Sequence, residues 1–202
     1  MNASEALRGL RALRVPVITT ADAAAALRLR PETASQTLRR LAAAGLVFSV
    51  RRGLWTLDML PDQASLAEHI TAPYPAYVSL QSALHLRGMI DQIPAMLYVV
   101  SLGRAARVET AAGTYSLHHL PPELFGGFEI DQDAGVKLAT PEKAIFDFAY
   151  LSGTRSRTFR ALPELELPRS FRRGRVRTWI RRIPSRRLRT LTSRRLDEIV
   201  GA

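Results

Sequence analysis

ITTADAAAALRLRPETASQTLRRLAAAGLVFSVRRGLWTL, residues 18–57, is the stretch that decides the predicted fold of this chain. A threonine, Thr19 or Thr20, can cap a first short helix, because its hydroxyl accepts from unpaired N–H groups of the first turn. Pro31 suits the first turn of a second helix, where the N–H that proline lacks has no partner anyway. This second helix is predicted from about residue 32 to residue 44 and ends at Gly45, which can adopt the left-handed conformation.

The second helix has one apolar and one polar face. Ala34, Leu38 and Leu41 recur at helical spacing and predict the buried stripe. On the opposite face, short polar side chains near the N-terminus can reach base edges, and the arginines that follow suit phosphates or guanine. We therefore predict a DNA recognition helix. Its contacting residues would be Thr33, Ser35, Gln36, Arg39 and Arg40.

A β-hairpin is predicted directly after this helix. Residues 46–50 are mostly apolar, residues 51–53 (Arg-Arg-Gly) make a turn, and residues 54–57 return. Arg51 and Arg52 would lie at the tip of the hairpin and bind phosphates or the minor groove. A helix-turn-helix followed by a hairpin with a basic tip is typical of a winged helix-turn-helix domain. The alternative that the pattern leaves open is a small helical scaffold with a solvated basic face.

Composition narrows the class of protein. The chain has 202 residues, of which 47% are hydrophobic, enough for a real core in one or two domains. It has no cysteine, so we expect neither a disulfide framework nor a thiolate metal site. The sequence shows no long apolar run of the kind that starts a secretory signal or spans a bilayer. We therefore expect a cytoplasmic protein with no membrane partner.

The charge is distributed unevenly along the chain. Residues 1–60 carry nine arginines and four acidic residues, net +5; residues 61–154 carry five basic and ten acidic residues, net −5. Residues 155–202 carry fifteen arginines and four acidic residues, net +11. A basic surface attracts nucleic acid by releasing condensed counterions, although it also attracts anionic lipid or an acidic protein. The pattern of the recognition helix favours double-stranded DNA as the partner.

We predict an α+β protein in three segments. Residues 1–60 form the winged helix-turn-helix domain, residues 61–154 a mixed α+β domain, and residues 155–202 an Arg-rich helical C-terminal segment. In the middle segment, Ser79 would cap a short helix, and the nearly all-apolar run at residues 96–102 would be a buried strand.

The C-terminal segment combines apolar residues at helical spacing with many arginines. Val176, Trp179, Ile180 and Ile183 would dock a helix onto the rest of the protein. The arginines around them would contact the DNA backbone without reading sequence, because guanidinium groups bind phosphate oxygens bidentately. A solvated face and an acidic protein partner remain the alternatives. The predicted DNA ligands in this segment are Arg172, Arg173 and Arg175.

The sequence predicts no metal site and no catalytic group. Of the four histidines, His118 and His119 are neighbours on a predicted strand and point to opposite faces, and none has a partner at metal-ligand spacing. A metal-dependent nuclease can use two acids and a lysine. The acid-and-lysine cluster of this chain is Asp131, Asp133, Glu142 and Lys143. Glu142, however, is explained as the acidic residue near the start of a helix that Thr140 caps. We therefore expect neither a cofactor nor an enzyme.

Three motifs together resemble the AbiEi-type antitoxins, which are the transcriptional repressors of type IV toxin–antitoxin systems. The first is RRGLW at residues 51–55, after the predicted recognition helix. The second is YVSLQSALHLRGMIDQIP at residues 77–94, and the third is KLATPEKAIFDFAYL at residues 137–151. The resemblance covers roughly residues 5–155. Each motif alone is only modestly specific, and it is their occurrence together in this order that points to the family.

The resemblance implies a winged-helix domain joined to an α+β antitoxin domain. Members of the family repress their own operon and counteract a cognate nucleotidyltransferase-like toxin, so operator DNA and such a toxin are the implied partners. The matching positions carry no implied catalytic role, since caps, turns and helix packing account for most of them. These positions are Ser79, Ser82, Gly88, Pro94, Thr140, Pro141, Glu142, Lys143 and Asp147.

Two other classes of function remain open at the level of sequence. A winged-helix nuclease would need a clustered pair of acids on one strand. A stand-alone ligand-responsive transcription factor would need an apolar pocket with a few convergent polar groups in the middle segment. The sequence predicts neither the operator sequence nor the oligomeric state.

Overall fold

The computed structural model describes residues 2–57, 59, 61–131, 135–153 and 164–201. Over these residues the chain is a mixed α+β structure with eight α-helices and two β-sheets, which confirms the predicted fold class at that level. The predicted segment boundaries, at residues 60–61 and 154–155, involve residues outside the described ranges. We refer to residues 2–57 as the N-terminal unit, to residues 61–153 as the middle unit, and to residues 164–201 as the C-terminal segment.

The N-terminal unit contains three helices and a three-stranded antiparallel sheet. Its strands lie in the order β1-β3-β2, so β3 is central and β2 is an edge. Strand β1 was not predicted, because three residues are too few to show an alternating pattern. The elements are α1 (Ala3–Arg11), β1 (Val17–Thr19), α2 (Thr20–Leu27), α3 (Pro31–Ala43), β2 (Phe48–Arg51) and β3 (Leu54–Thr56).

Local signals determine where α2 and α3 begin and end. The Thr19 hydroxyl accepts from the backbone N–H of Asp22 at 3.1 Å, and the Asp22 carboxylate accepts from the backbone N–H of Thr19 at 2.8 Å. This reciprocal pair caps the start of α2. Pro31 is the first residue of α3, and Gly45 follows the helix with a φ of +69°. The predicted caps and helix ends are therefore confirmed.

The middle unit is built on a six-stranded mixed sheet. The strands lie in the order β6-β7-β5-β4-β9-β8, with β4 parallel to β9 and β5 parallel to β7. The predicted buried strand is β5, and all five of its residues are buried. The elements are α4 (Ala67–Thr71), β4 (Ala76–Val78), α5 (Leu80–Leu86), β5 (Leu97–Ser101), β6 (Ala106–Thr110), β7 (Gly113–His119), a 3-10 turn (Pro122–Leu124), β8 (Phe128–Ile130), β9 (Lys137–Ala139) and α6 (Pro141–Gly153).

The two faces of this sheet pack against different partners. Tyr77 and Val100 point to the face that α5 and α6 cover, whereas their strand neighbours Val78 and Val99 belong to the cluster on the opposite face. Such alternation follows from the two-residue repeat of a strand. On the opposite face the sheet packs against α4 and against Val50 and other residues of the N-terminal unit. An apolar cluster therefore crosses between the N-terminal and middle units.

Two helices complete the C-terminal segment, α7 (Arg173–Arg181) and α8 (Arg186–Val200). Val176 and Ile180 of α7 and Leu196 of α8 are buried in the same cluster as α6. The predicted docking of the apolar stripe of α7 is confirmed. None of the helices in the described ranges is long and apolar enough to cross a membrane.

Candidate nucleic-acid interface

Helix α3 presents its polar side chains to solvent on the face that was predicted for DNA. Ala34, Leu38 and Leu41 are buried, because they pack against the rest of the N-terminal unit. Ser35 is half-buried at the side of the helix. The exposed polar residues of α3 include Thr33, Gln36, Arg39 and Arg40.

A cleft of about 580 Å³ lies between α3 and the β2–β3 hairpin. It brings together Ser35 and Arg39 from α3 with Arg52 from the hairpin turn, three residues of the predicted DNA-contacting set. The indole N–H of Trp55 donates to the Thr20 hydroxyl at 3.0 Å and ties β3 to the start of α2. Thr20 was expected only as a possible helix cap and Ser49 only as part of a strand, so neither was predicted to line this cleft. The residues that line the cleft are Thr20, Ser35, Arg39, Ala42, Ser49, Arg52, Gly53 and Trp55.

The chemistry of this cleft suits an anion. Ser35 and Ser49 supply hydroxyls and Arg39 and Arg52 supply guanidinium groups, while no acidic residue is among the described residues that line it. Hydroxyl and guanidinium groups are the side chains that most often contact phosphate oxygens in protein–DNA complexes. Ser35, Arg39 and Arg52 form no side-chain hydrogen bond or ion pair within the described part of the chain, so their donors are available to a ligand.

The two arginines predicted at the hairpin tip point to different places. Arg52 is exposed and lines the cleft. Arg51 is half-buried, and its Nη2 donates to the carbonyl of Ile70 in α4 at 3.2 Å. Its Nε is buried and has no hydrogen-bond partner among the described residues. The structure thus brings Arg52, and not Arg51, together with the predicted residues of α3.

The three C-terminal arginines predicted to bind DNA are exposed but already engaged with their own chain. Arg172 donates from Nη1 to the carbonyls of Arg169 and Phe171, at 2.9 and 3.1 Å. A guanidinium nitrogen of Arg173 lies 3.5 Å from the Asp197 carboxylate. One of Arg175 lies 3.7 Å from the carboxylate of Glu142. Other arginines of α7 and α8 are exposed without an ion pair to any described residue, and they include Arg177, Arg186 and Arg187.

A second group of polar side chains lies deep inside the middle unit. Lys143 and Asp147, one turn apart on α6, form an ion pair in which both side chains are fully buried. The other carboxylate oxygen of Asp147 accepts from the Tyr77 hydroxyl at 2.9 Å and from the Ser79 hydroxyl at 2.7 Å. We call these four residues the Lys143–Asp147 network. It joins two of the three motifs that carry the family resemblance.

Aromatic rings enclose the ammonium group of Lys143. Its Nζ lies 4.7 Å from the ring centroids of Phe146 and Trp179 and 5.5 Å from that of Tyr77, distances at which a cation is attracted to a ring face. Gly127 makes room for Trp179, because a Cβ at this glycine would lie 2.7 Å from the indole. Through Trp179 the network also attaches α7 to α6.

Burial disfavours the charged form of both ionisable groups in this pair. It lowers the pKa of Lys143 and raises the pKa of Asp147, while the attraction between the two charges opposes both shifts. Burial and the neighbouring carboxylate of Asp147 also raise the pKa of Tyr77. The network is enclosed and internally hydrogen-bonded, so its chemistry is that of a structural element and not of a surface that receives a ligand.

Three residues in or beside this network had been interpreted from the sequence as parts of helix starts. Ser79 is the N-cap residue of α5, as predicted, but its hydroxyl makes no capping hydrogen bond and donates to Asp147 instead. Thr140 does cap α6, since its hydroxyl accepts from the backbone N–H of Lys143 at 3.3 Å. Glu142 is buried in the first turn, where its carboxylate also accepts from the backbone N–H of Arg172 at 3.0 Å.

The acidic residues and the lysine that were considered for a nuclease site do not form one cluster in the structure. Lys143 and Glu142 are each engaged as described above, Asp131 follows β8, and Asp133 lies outside the described residues. Within the described ranges, no group of three or more histidine, aspartate or glutamate side chains could hold a metal ion.

Comparison with known proteins leaves the family open. No protein-family model matches the chain. No curated protein matches it either.

Proposed function

We propose that this chain is a sequence-specific DNA-binding transcription regulator whose N-terminal unit is a winged helix-turn-helix. In this proposal α2 and α3 form the helix-turn-helix, α3 is the recognition helix, and the β2–β3 hairpin is the wing. The element order and the exposed polar face of α3 support this assignment. A regulator of this kind acts on the chromosome, in the cytoplasm, and needs neither a cofactor nor catalysis.

The cleft between α3 and the hairpin is the observation that carries the proposal. A helix in the major groove and a hairpin over the adjacent minor groove have one sugar–phosphate strand between them. The cleft offers donors from both of its walls for such a strand, Ser35 and Arg39 on one side and Arg52 on the other. Exposed Thr33 and Gln36, near the start of α3, are placed to meet base edges.

Direct measurement of DNA binding tests this proposal. The full chain would be titrated into a labelled duplex taken from the region upstream of its own gene and into a shuffled duplex of the same composition. We expect the natural duplex to bind at least about a thousandfold more tightly, as specific sites generally do, and both affinities to fall as salt rises. Equal affinity for both duplexes, or no binding to either, would overturn the proposal.

We further propose that the regulator is the antitoxin of a type IV toxin–antitoxin system. The support is the resemblance of the three motifs, two of which supply all four residues of the Lys143–Asp147 network. The acidic middle unit, rather than the basic N-terminal unit, is then the expected region of protein contact. The toxin would be a nucleotidyltransferase-like protein encoded next to this chain.

Co-expression tests the antitoxin proposal separately from DNA binding. The neighbouring gene would be induced in a host with and without this chain, and growth would be followed. Arrested growth that this chain restores is the expected result. A harmless neighbour, or toxicity that this chain leaves unchanged, would overturn the antitoxin proposal and leave that of the DNA-binding regulator standing.

A further inference from the structure

The hairpin of the N-terminal unit is attached to the middle unit by a backbone hydrogen bond. Strand β2 is the edge of its sheet, and edge strands present unpaired backbone groups. The carbonyl of Val50 in β2 accepts from the backbone N–H of Ala111 at 3.0 Å. Ala111 lies in the turn between β6 and β7, so the edge of the hairpin is covered by the middle unit.

Arg51 makes a second attachment one residue further along the hairpin. Its guanidinium donates to the carbonyl of Ile70, near the C-terminal end of the short helix α4. Carbonyls in the last turn of a helix lack partners within the helix, so they accept readily from a side chain. The buried Nε of Arg51 has no acceptor in the part of the chain that the structure describes, and leaving a buried donor unsatisfied costs free energy. The guanidinium is nevertheless turned toward α4 and away from the cleft.

Apolar packing joins the same two surfaces. Val50 and Leu54 of the hairpin are buried in one cluster with Leu66, Ala67 and Ile70 from α4 and the residues just before it. The hairpin therefore packs one side against the middle unit. Arg52, which lies in the turn of the hairpin, faces the cleft. A shift of α4 or of the β6–β7 turn would move the wall of the cleft that carries Arg52.

We propose that Arg51 is a positioning residue that attaches the hairpin to α4, so that the middle unit sets the width of the cleft between the hairpin and α3. This inference rests on the proposed DNA binding. It also explains how a protein bound to the middle unit would change the affinity for DNA. A protein that displaces α4 or the β6–β7 turn would release the hairpin without touching DNA. The DNA-contacting role of the hairpin then belongs to Arg52.

A matched pair of variants of the full chain separates positioning from contact. Arg51→Met and Arg52→Met each remove one guanidinium and keep an unbranched apolar stem. We expect Arg51→Met to weaken binding to the upstream duplex by about 3- to 10-fold, the range that one hydrogen bond represents, with the salt dependence unchanged. Arg52→Met should lower the slope of log affinity against log salt by about one.

Two results would overturn the positioning role. A loss of about one unit of salt slope in Arg51→Met would make Arg51 a phosphate contact like Arg52. If Arg51→Met changed neither the DNA affinity nor its salt dependence, the hydrogen bond from Arg51 to Ile70 would have no role in positioning the hairpin. Arg51→Lys keeps a positive donor on a long stem, so it should recover part of the affinity if positioning is the role.

Hydrogen–deuterium exchange tests the attachment without DNA. In the wild-type chain the amide of Ala111 should exchange slowly, because it is bonded to Val50. In Arg51→Met it should exchange at least about tenfold faster, while the amide of Val99 in the core of the sheet stays protected. If the Ala111 amide exchanged equally slowly in the wild-type chain and in Arg51→Met, the proposed attachment of the hairpin by Arg51 would be overturned, even if the chain binds DNA. Faster exchange in a chain that binds no DNA would instead reject the proposed function and retain the attachment.

Discussion

The cleft of the N-terminal unit and the Lys143–Asp147 network of the middle unit use polar side chains in opposite ways. In the cleft, Ser35, Arg39 and Arg52 make no side-chain hydrogen bond or ion pair within the described residues. In the network, one carboxylate, Asp147, receives an ammonium and two hydroxyls, and every member is buried. Polar groups that bind one another build the architecture, whereas donors without an internal partner are available to a ligand.

The largest expected effect comes from breaking the buried pair. Asp147→Ala leaves the Lys143 ammonium buried without its carboxylate, so we expect the free energy of unfolding to fall by about 3–5 kcal/mol. Lys143→Met leaves the carboxylate with its two hydroxyl donors and should cost less. The double variant Lys143→Met/Asp147→Ala removes both charges and should be more stable than Asp147→Ala. Urea unfolding monitored by circular dichroism measures all three.

Variants of the buried pair should leave DNA binding unchanged. At a temperature where the variants remain folded, their affinity for DNA should equal that of the wild type, because the network lies away from the cleft. Additive losses in the double variant would contradict the account of the pair. So would a fall in DNA affinity without a loss of stability.

Acidification should affect the middle unit through His118. Burial lowers the pKa of His118 from 6.5 to about 4. As pH falls below 6.5 the unfolded chain takes up a proton that the folded chain does not, so stability present above pH 6.5 is lost between pH 6.5 and about 4, by up to about 3 kcal/mol. His118→Gln should flatten this decline in unfolding experiments across that pH range. The matched control His119→Gln changes the exposed neighbour on the same strand and should keep the wild-type decline; an equal decline in all three proteins would contradict the prediction.

Base readout by α3 should give an effect of intermediate size. Gln36 is exposed near the start of α3, and glutamine can bond bidentately to adenine. Gln36→Ala should therefore reduce discrimination between the upstream and shuffled duplexes by about 1–3 kcal/mol. Ala43, exposed near the other end of α3, gives the control Ala43→Gln, which should leave discrimination unchanged. If Gln36→Ala lost the same affinity for both duplexes, Gln36 would have no role in base readout.

The smallest effect is expected from the C-terminal arginines. Because α7 and α8 pack on α6, deleting them would expose the core, and charge substitution is the cleaner test. Changing Arg177, Arg186 and Arg187 to Gln should lower affinity for both duplexes equally, by less than about tenfold, and reduce the salt slope. Arg173→Gln/Arg175→Gln, which removes arginines already paired with carboxylates, should change the slope less. A larger fall in salt slope for Arg173→Gln/Arg175→Gln than for the triple variant would instead support Arg173 and Arg175, two of the arginines predicted from the sequence, as DNA contacts.

Sequence reasoning succeeds where the signal is local. The caps at Thr19 and Thr140, the proline at the start of α3 and the left-handed Gly45 each depend on neighbours within a few residues, and each is confirmed. The apolar run of β5 is long enough to predict a buried strand. The polar face of α3 follows from helical spacing, so Ser35 and Arg39 could be named in advance, and the Arg-Arg-Gly turn of the hairpin likewise predicts Arg52.

The remainder depends on contacts between distant parts of the chain. The spacing of Lys143 and Asp147 is compatible with an ion pair, but the hydroxyls of Tyr77 and Ser79 come from nearly 70 positions earlier in the sequence. Arg51 and Arg52 are adjacent, identical residues, and only the position of α4 separates their roles. Thr20 and Ser49 line the cleft because the hairpin folds back beside α2 and α3, which no local pattern predicts.

The central claim, that DNA lies in the cleft between α3 and the hairpin, is tested most directly by mapping the bound surface. Hydrogen–deuterium exchange of the full chain would be compared with and without the upstream duplex at low salt. We predict that protection gained on binding is largest in α3 and around Arg52, weaker at α7 and α8, and absent at the Lys143–Asp147 network. Protection confined to the middle unit or to the C-terminal helices, with α3 unchanged, would contradict the account.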